Sequence, residues 1–133
     1  MRLFRFLFVG GLGAIVQLSL YTLLTSLWRL PPVNASIISV EAAILHNFFW
    51  HRRFTWRDRA LITPRQNAIR LIRFHIGNGL VSLAGNAFMT YWLVDRLRFQ
   101  PLLSAIAAIA ICSALNFTLA DRWVYLKPSR ALL

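Results

Sequence analysis

Acidic side chains are scarce in this sequence: four Asp and Glu stand against fifteen Lys and Arg, giving a net charge of +11. Cysteine is nearly absent. Cys112 stands alone, so no internal disulfide can form, and it lies mid-way along an apolar run, where it reads as a small packing residue. No Gly-x-Gly-x-x-Gly follows a strand and there is no P-loop, which removes two common nucleotide-binding classes. The three histidines do not have metal-site spacing. His46 and His51 are five apart, on different faces of a helix, and a Cys-His nucleophile pair has no support. The expectation is a non-enzymatic protein without metal or cofactor. A cleavage site is missing too. The first apolar run follows Arg2 and Arg5, is long for a signal peptide, and meets no clear small-residue site before Pro31, so it is expected to be retained.

Apolar residues are abundant, at 58%. They fall into runs at about 6–28, 33–50, 74–94 and 102–120. Each is near the roughly 20 residues that carry a helix across about 30 Å of hydrocarbon. Backbone groups in lipid must be satisfied within the segment, which helices do. The fold class expected is all-α: four transmembrane helices in one domain, residues 1–133. Charge placement orients them. Arg2 and Arg5 precede the first run; Arg52, Arg53, Arg57, Arg59, Arg65, Arg70 and Arg73 lie between the second and third; Arg122, Lys127 and Arg130 follow the fourth. The other side holds Arg29, Arg96 and Arg98. The positive-inside rule then puts both termini and the central loop in the cytoplasm. In a soluble protein this charge would suggest nucleic acid. Here it reads as topology plus attraction to anionic lipids.

The chain repeats internally. A shift of 68 lays Arg5-Phe6 on Arg73-Phe74 and Gly11-Leu12 on Gly79-Leu80; a shift of 69 lays Pro32 on Pro101, Asn47-Phe48 on Asn116-Phe117 and Arg53 on Arg122. The one-residue change is assigned to the short outer loops. Each unit, residues 5–56 and 73–125, is a two-helix hairpin, and the basic stretch 52–73 joins them. An even number of spans gives both copies the same orientation. Gly10 and Ala14 form a small-xxx-small pair for close helix approach. Gln17 continues that face, and Asn78, Ser82, Gly85, Asn86 and Met89 make a matching stripe in the third helix. Thr63-Pro64 reads as a helix start, with Ile69, Ile72 and Ile76 interleaved among arginines in an interfacial turn.

Glu41 sits mid-span with Asn34 seven residues earlier on its face, and the second copy has Ala110 there. A carboxylate at that depth costs roughly 3 kcal/mol and is expected to face protein or water. The densest chemistry lies where the second run ends: His46, Asn47, His51, Arg52, Arg53 and Trp56, echoed by Asn116, Arg122 and Tyr125. Both copies read N-F-x-x-x-x-R-[FW]-x-[WY]. Arginine holds phosphate by paired N–H donors and interfacial aromatics pack on lipid or sugar, so an anionic headgroup on an apolar tail fits.

With these residues in view, the chain resembles GtrA-like membrane proteins over almost its whole length. The resemblance rests on Arg5-Phe6-x-x-x-Gly10-Gly11-x-Gly13, on Glu41, and on Asn47-Phe48 with Arg52, Arg53 and Phe54-Thr55-Trp56. It departs from that pattern at Trp56, where Phe is frequent, and at His46. The resemblance implies movement of polyprenyl-phosphate-linked sugars across the bacterial inner membrane for cell-surface polysaccharides, or anchoring of a glycosyltransferase. On this reading the arginines hold phosphate, the Asn and aromatic groups hold the sugar, and a homo-oligomer encloses the lipid. A third possibility is a small proton-coupled multidrug exporter using Glu41, which the +11 charge disfavours for cationic cargo.

Overall fold

Proline opens three of the four helices. The computed structural model describes residues 1–59 and 63–125. Helix α1 runs Arg2–Ser26. Helix α2 runs Pro32–Trp50, continues into a π-helical turn His51–Thr55, and is followed by a 3-10 turn Arg57–Arg59. Helix α3 is one unbroken rod over 64–96, in which α-helical Pro64–Phe74 and Asn86–Tyr91 alternate with π-helical His75–Gly79, Val81–Gly85 and Trp92–Arg96. Helix α4 runs Pro101–Leu119 and ends in a π-helical turn Ala120–Val124. Among the described residues there is no strand. Two compact units result, Met1–Ala60 and Leu61–Leu133. The first holds α1 and α2, the second α3 and α4.

At 1.5 Å per residue α3 is about 50 Å long, well beyond a hydrocarbon core of about 30 Å. Its start is capped reciprocally: Gln66 N–H donates to Thr63 Oγ1 at 3.3 Å and Thr63 N–H to Gln66 Oε1 at 3.4 Å. Ile69, Ile72 and Ile76 are exposed along its first turns. Among the described residues, α1 alone is long and apolar enough to cross a membrane by itself; in α2, Asn34, Glu41, His46 and Asn47 lower the hydropathy of a 19-residue helix. Most large apolar side chains of α1, including Phe4, Phe8, Ile15 and Leu18, face outward, an arrangement that water disfavours and lipid accepts.

The seam in each unit is a row of small residues spaced four apart. Ala35, Ser39 and Ala43 of α2 are buried, as are Ser104, Ala108 and Cys112 of α4, each 69 residues on. Small side chains let backbones approach closely. The two serines donate to carbonyls of their own helix, Ser36 O and Gln100 O, both at 3.0 Å. The seam is therefore carried by the second helix of each unit, not by Gly10 and Ala14. A Cβ on Gly10 would meet nothing within 4 Å. Gly13 is the close approach in α1: a Cβ there would fall 2.6 Å from Asn47 Cγ. Cys112 packs as expected, with Sγ 3.0 Å from where a Cβ on Gly85 would be.

At the turn end, each unit closes through an arginine in the left-handed region, Arg29 at φ 51° and Arg98 at φ 58°. The next residue then bonds six residues back, Leu30 N–H to Leu24 O and Phe99 N–H to Leu93 O, both at 3.0 Å.

At the open end, unit 1 closes on an aromatic cluster. The rings of Phe6 and His51 stack with centroids 4.8 Å apart, and Trp56 meets both edge-on at 6.0 and 5.3 Å. His51 Nδ1 lies 3.1 Å from Thr55 Oγ1. Burial, with a smaller contribution from His46, pushes the His51 imidazole down to about 3. The folded state thus holds His51 neutral, so its contribution is complete above the unfolded value near 6.5 and is lost as pH falls toward 3. Between pH 7 and 5 the protein should lose about 2 kcal/mol of stability from this residue, read as a falling melting temperature in detergent. His51→Phe, which keeps the stack, should flatten that dependence. Gly13→Ala should cost about 1–3 kcal/mol by overpacking. Adding Asn47→Ala should recover most of the loss in a double-mutant cycle.

Candidate functional site

A helix leaves its last carbonyls without partners. Here both second helices widen to a π turn before they stop. The turns are closed by Trp56 N–H to His51 O and Tyr125 N–H to Ala120 O, each 2.8 Å. The wider turn brings residues five apart onto one face. His51, Thr55 and Trp56 are buried in unit 1; Ala120, Val124 and Tyr125 are buried in unit 2. The residues between point away from the core. Arg53 and Phe54 are exposed and Arg52 is half-buried; Arg122 and Trp123 are exposed.

A carbonyl left over at each turn is met by an arginine from the first helix of the same unit. Arg5 Nη1 donates to Phe54 O and Arg73 Nη1 to Trp123 O, both at 3.5 Å. The guanidiniums also lie over the adjoining rings, 5.1 Å from the centroid of Phe54 and 5.9 Å from that of Trp123. Such contacts contribute about 0.5–2 kcal/mol depending on desolvation. Phe74 meets Tyr125 edge-on at 6.2 Å, in the place Phe6 takes against Trp56. Arg2 pairs with Asp58 at 2.9 Å, while Arg70 is buried over Tyr125 at 4.9 Å.

Two turns deeper, each unit holds its asparagine against the first helix. Asn47 lies on Gly13, with its Oδ1 3.3 Å from His46 Nδ1. Asn116 Nδ2 donates to Ser82 Oγ at 3.0 Å, and Asn116 Oδ1 is buried without a hydrogen-bond partner. Whichever way that amide is turned, one of its polar atoms has no partner among the described residues. These contacts also show where the offset between the units changes. Arg5 and Arg73 are 68 apart, but Gly13 and Ser82, the residues facing the asparagines, are already 69 apart. The offset therefore changes within α3, where π turns interrupt the α-helix.

The residues expected from sequence to form the site separate by depth. Arg52, Arg53 and Arg122 are at the open ends of the units, with Asn47, Asn116 and half-buried His46 above them. His51 and Trp56 are core groups, at 2% and 0% exposure. The physical reason is the π turn, which rotates them inward. Glu41 and Asn34 are exposed on α2, and Gln17 and Asn78 are half-buried. The side chain of Asn86, and Lys127 and Arg130 of the tail, lie outside the described residues. Sequence reasoning passes over Arg5, Arg73 and Ser82 as site-forming groups. The recurring Arg-Phe pair is the available signal for the first two.

Residues 5–125 match the GtrA/DPMS transmembrane domain family. The chain is also similar to a protein named dolichol-phosphate mannosyltransferase from Pyrococcus furiosus, 30% identical over 120 residues. That alignment takes in 89% of this chain and 32% of the relative, so the chain spans about a third of the relative's length. A match over nearly the whole chain, on the helical units just described, shows that this is a membrane protein belonging to the GtrA/DPMS transmembrane domain family.

Proposed function

We propose that the protein moves a polyprenyl-phosphate-linked sugar across the bacterial inner membrane. The observation that carries this reading is the layered arrangement at the open end of each unit: exposed arginine outermost, an aromatic face beside it, and an asparagine about 9 Å deeper. Arg53 and Arg122 would hold the phosphate through charge-assisted N–H donors. Phe54 and Trp123, each covered on one face by a guanidinium, keep the other face for a sugar ring. The unpartnered polar atom of Asn116 would take a sugar hydroxyl. The prenyl chain would run along the exposed apolar surface of the helices.

In this reading the four helices all span the membrane, as two tandem hairpins of the same orientation with both termini cytoplasmic. The recurrence of the π turn, arginine–carbonyl contact, small-residue seam and left-handed turn arginine at offsets of 68 or 69 supports duplication. Anionic lipids would line the basic surface, and a homo-oligomer would complete the enclosure around a ligand too large for one four-helix chain. The protein would act as a carrier without catalytic groups of its own.

A second reading makes this a membrane anchor for a glycosyltransferase. The relative from Pyrococcus furiosus favours it, because there the matching part is a third of a protein named as a mannosyltransferase.

Headgroup translocation in liposomes tests the first reading. The double change Arg53→Ala, Arg122→Ala should slow it at least about tenfold, and Asn116→Ala should slow it without lowering the melting temperature. A double variant moving the lipid at the wild-type rate would remove the phosphate site. For the second reading, a glycosyltransferase should co-purify with the protein and be lost on deleting residues 57–70. Translocation at full rate by the purified chain alone would count against an anchor-only role.

A further inference from the structure

The turn ends of the units carry a feature that neither topology nor helix closure requires. Among the described residues, two non-glycine residues have positive φ, and both are arginines, Arg29 and Arg98. They stand 69 apart, at the same position in each unit. Helices that close through a left-handed residue ordinarily place glycine there, since a Cβ costs roughly 1–2 kcal/mol. Asparagine is the usual substitute, and the roughly 0.3–1 kcal/mol that a cation gains from a helix C-terminus is less than the left-handed backbone costs. On the proposed orientation these turns face outward, where lysine and arginine are disfavoured. Two independent preferences thus run against arginine at this position, and both units have it.

Neither guanidinium makes a hydrogen bond or ion pair with another described residue, and both side chains are exposed. The flanking residues Trp28 and Phe99 are 69% and 54% exposed. Asp95 offsets Arg96 in charge, so each turn presents one net positive charge. An unpartnered guanidinium beside an outward aromatic side chain, at about one helix length of 35–40 Å from the inner arginines, is what a phosphate-bearing lipid headgroup would need on arriving at the second surface. A non-glycine residue held in the left-handed region is a starting point for a functional hypothesis.

We infer that Arg29 and Arg98 are the outer-face contacts for the phosphate of the lipid substrate, each acting at the turn end of its own unit. This rests on the lipid-carrier reading and its orientation. The test is equilibrium binding of undecaprenyl phosphate in detergent micelles, read by native mass spectrometry. The starting protein carries Arg52→Ala, Arg53→Ala and Arg122→Ala, so that the inner cluster does not hold the lipid. Adding Arg29→Gly and Arg98→Gly should leave the melting temperature equal or higher, because glycine relieves the left-handed backbone. Affinity for the lipid should fall about tenfold, whereas Arg29→Lys with Arg98→Lys should retain part of it. Undiminished lipid binding by the glycine pair would overturn the inference. So would binding of inorganic phosphate at these turns with which the lipid does not compete, since the site would then serve a free anion. Because this measurement involves no transport, a wild-type chain that fails to move lipid in liposomes would sink the carrier reading separately.

Discussion

Each second helix must stop against an aromatic ring and still find partners for its last carbonyls. Widening to a π turn meets the first demand, by bringing positions 51, 55 and 56, and 120, 124 and 125, onto one inward face. It leaves a carbonyl that the helix itself does not use, and a guanidinium from the neighbouring helix takes it. The same guanidinium covers the ring of that residue. The π turn sets which side chains face outward, and the cross-helix contact ties its leftover carbonyl to the neighbouring helix. π turns of this type are frequent at functional sites because they re-aim side chains at small cost to the helix.

Much of this is legible in the residues. Four apolar runs become four helices, Thr63-Pro64 is a capped start, and the spacing of Arg-Phe and Asn-Phe pairs marks contacts that recur in both units. The failures share one cause. A sequence is read with a fixed period of 3.6, and this chain changes period at its most informative places. Read as a plain α-helix, positions 51 and 56 fall on different faces. In the wider turn they share one, so both move from candidate ligand groups into the core. The change of offset from 68 to 69 suggests a loop because loops tolerate insertions, but a π turn can accommodate it inside a helix. Gly10 and Gly13 look equivalent in sequence. Only contact with Asn47 distinguishes the one that matters.

The two asparagines, 69 residues apart, have unequal surroundings in the two units. Unit 1 has Gly13 opposite and His46 adjacent, so its amide oxygen has an imidazole nearby and its body fills the space of the missing side chain. Unit 2 has Ser82 opposite and Leu115 adjacent. The serine hydroxyl engages one end of the amide, and the leucine offers nothing to the other. A buried amide atom without a partner costs about 1–3 kcal/mol, and such a cost persists where a ligand supplies the missing bond. The richer sequence around His46 and the double arginine directs attention to the first unit. The hydrogen-bond geometry directs it to the second. Each unit thus has its own strength: added cationic charge at the open end of the first, an unfilled polar atom in the second.

Net charge is a poor guide to how many cations a ligand can meet. The excess of +11 counts every cation alike, but several of its arginines have structural partners. Arg2 is paired with Asp58, Arg5 and Arg73 hold helix carbonyls, and Arg70 is buried against Tyr125. A guanidinium lying over a ring and bonded to a carbonyl has a donor and a face already engaged, and turning fully toward a phosphate would weaken both contacts. Arg53 and Arg122 face no such exchange, being exposed at the open ends of their units, and Arg29 and Arg98 face none at the turn ends. Selection for ligand contact is therefore best sought in these four, which form two pairs at the same spacing of 69 and lie at opposite ends of the same hairpins.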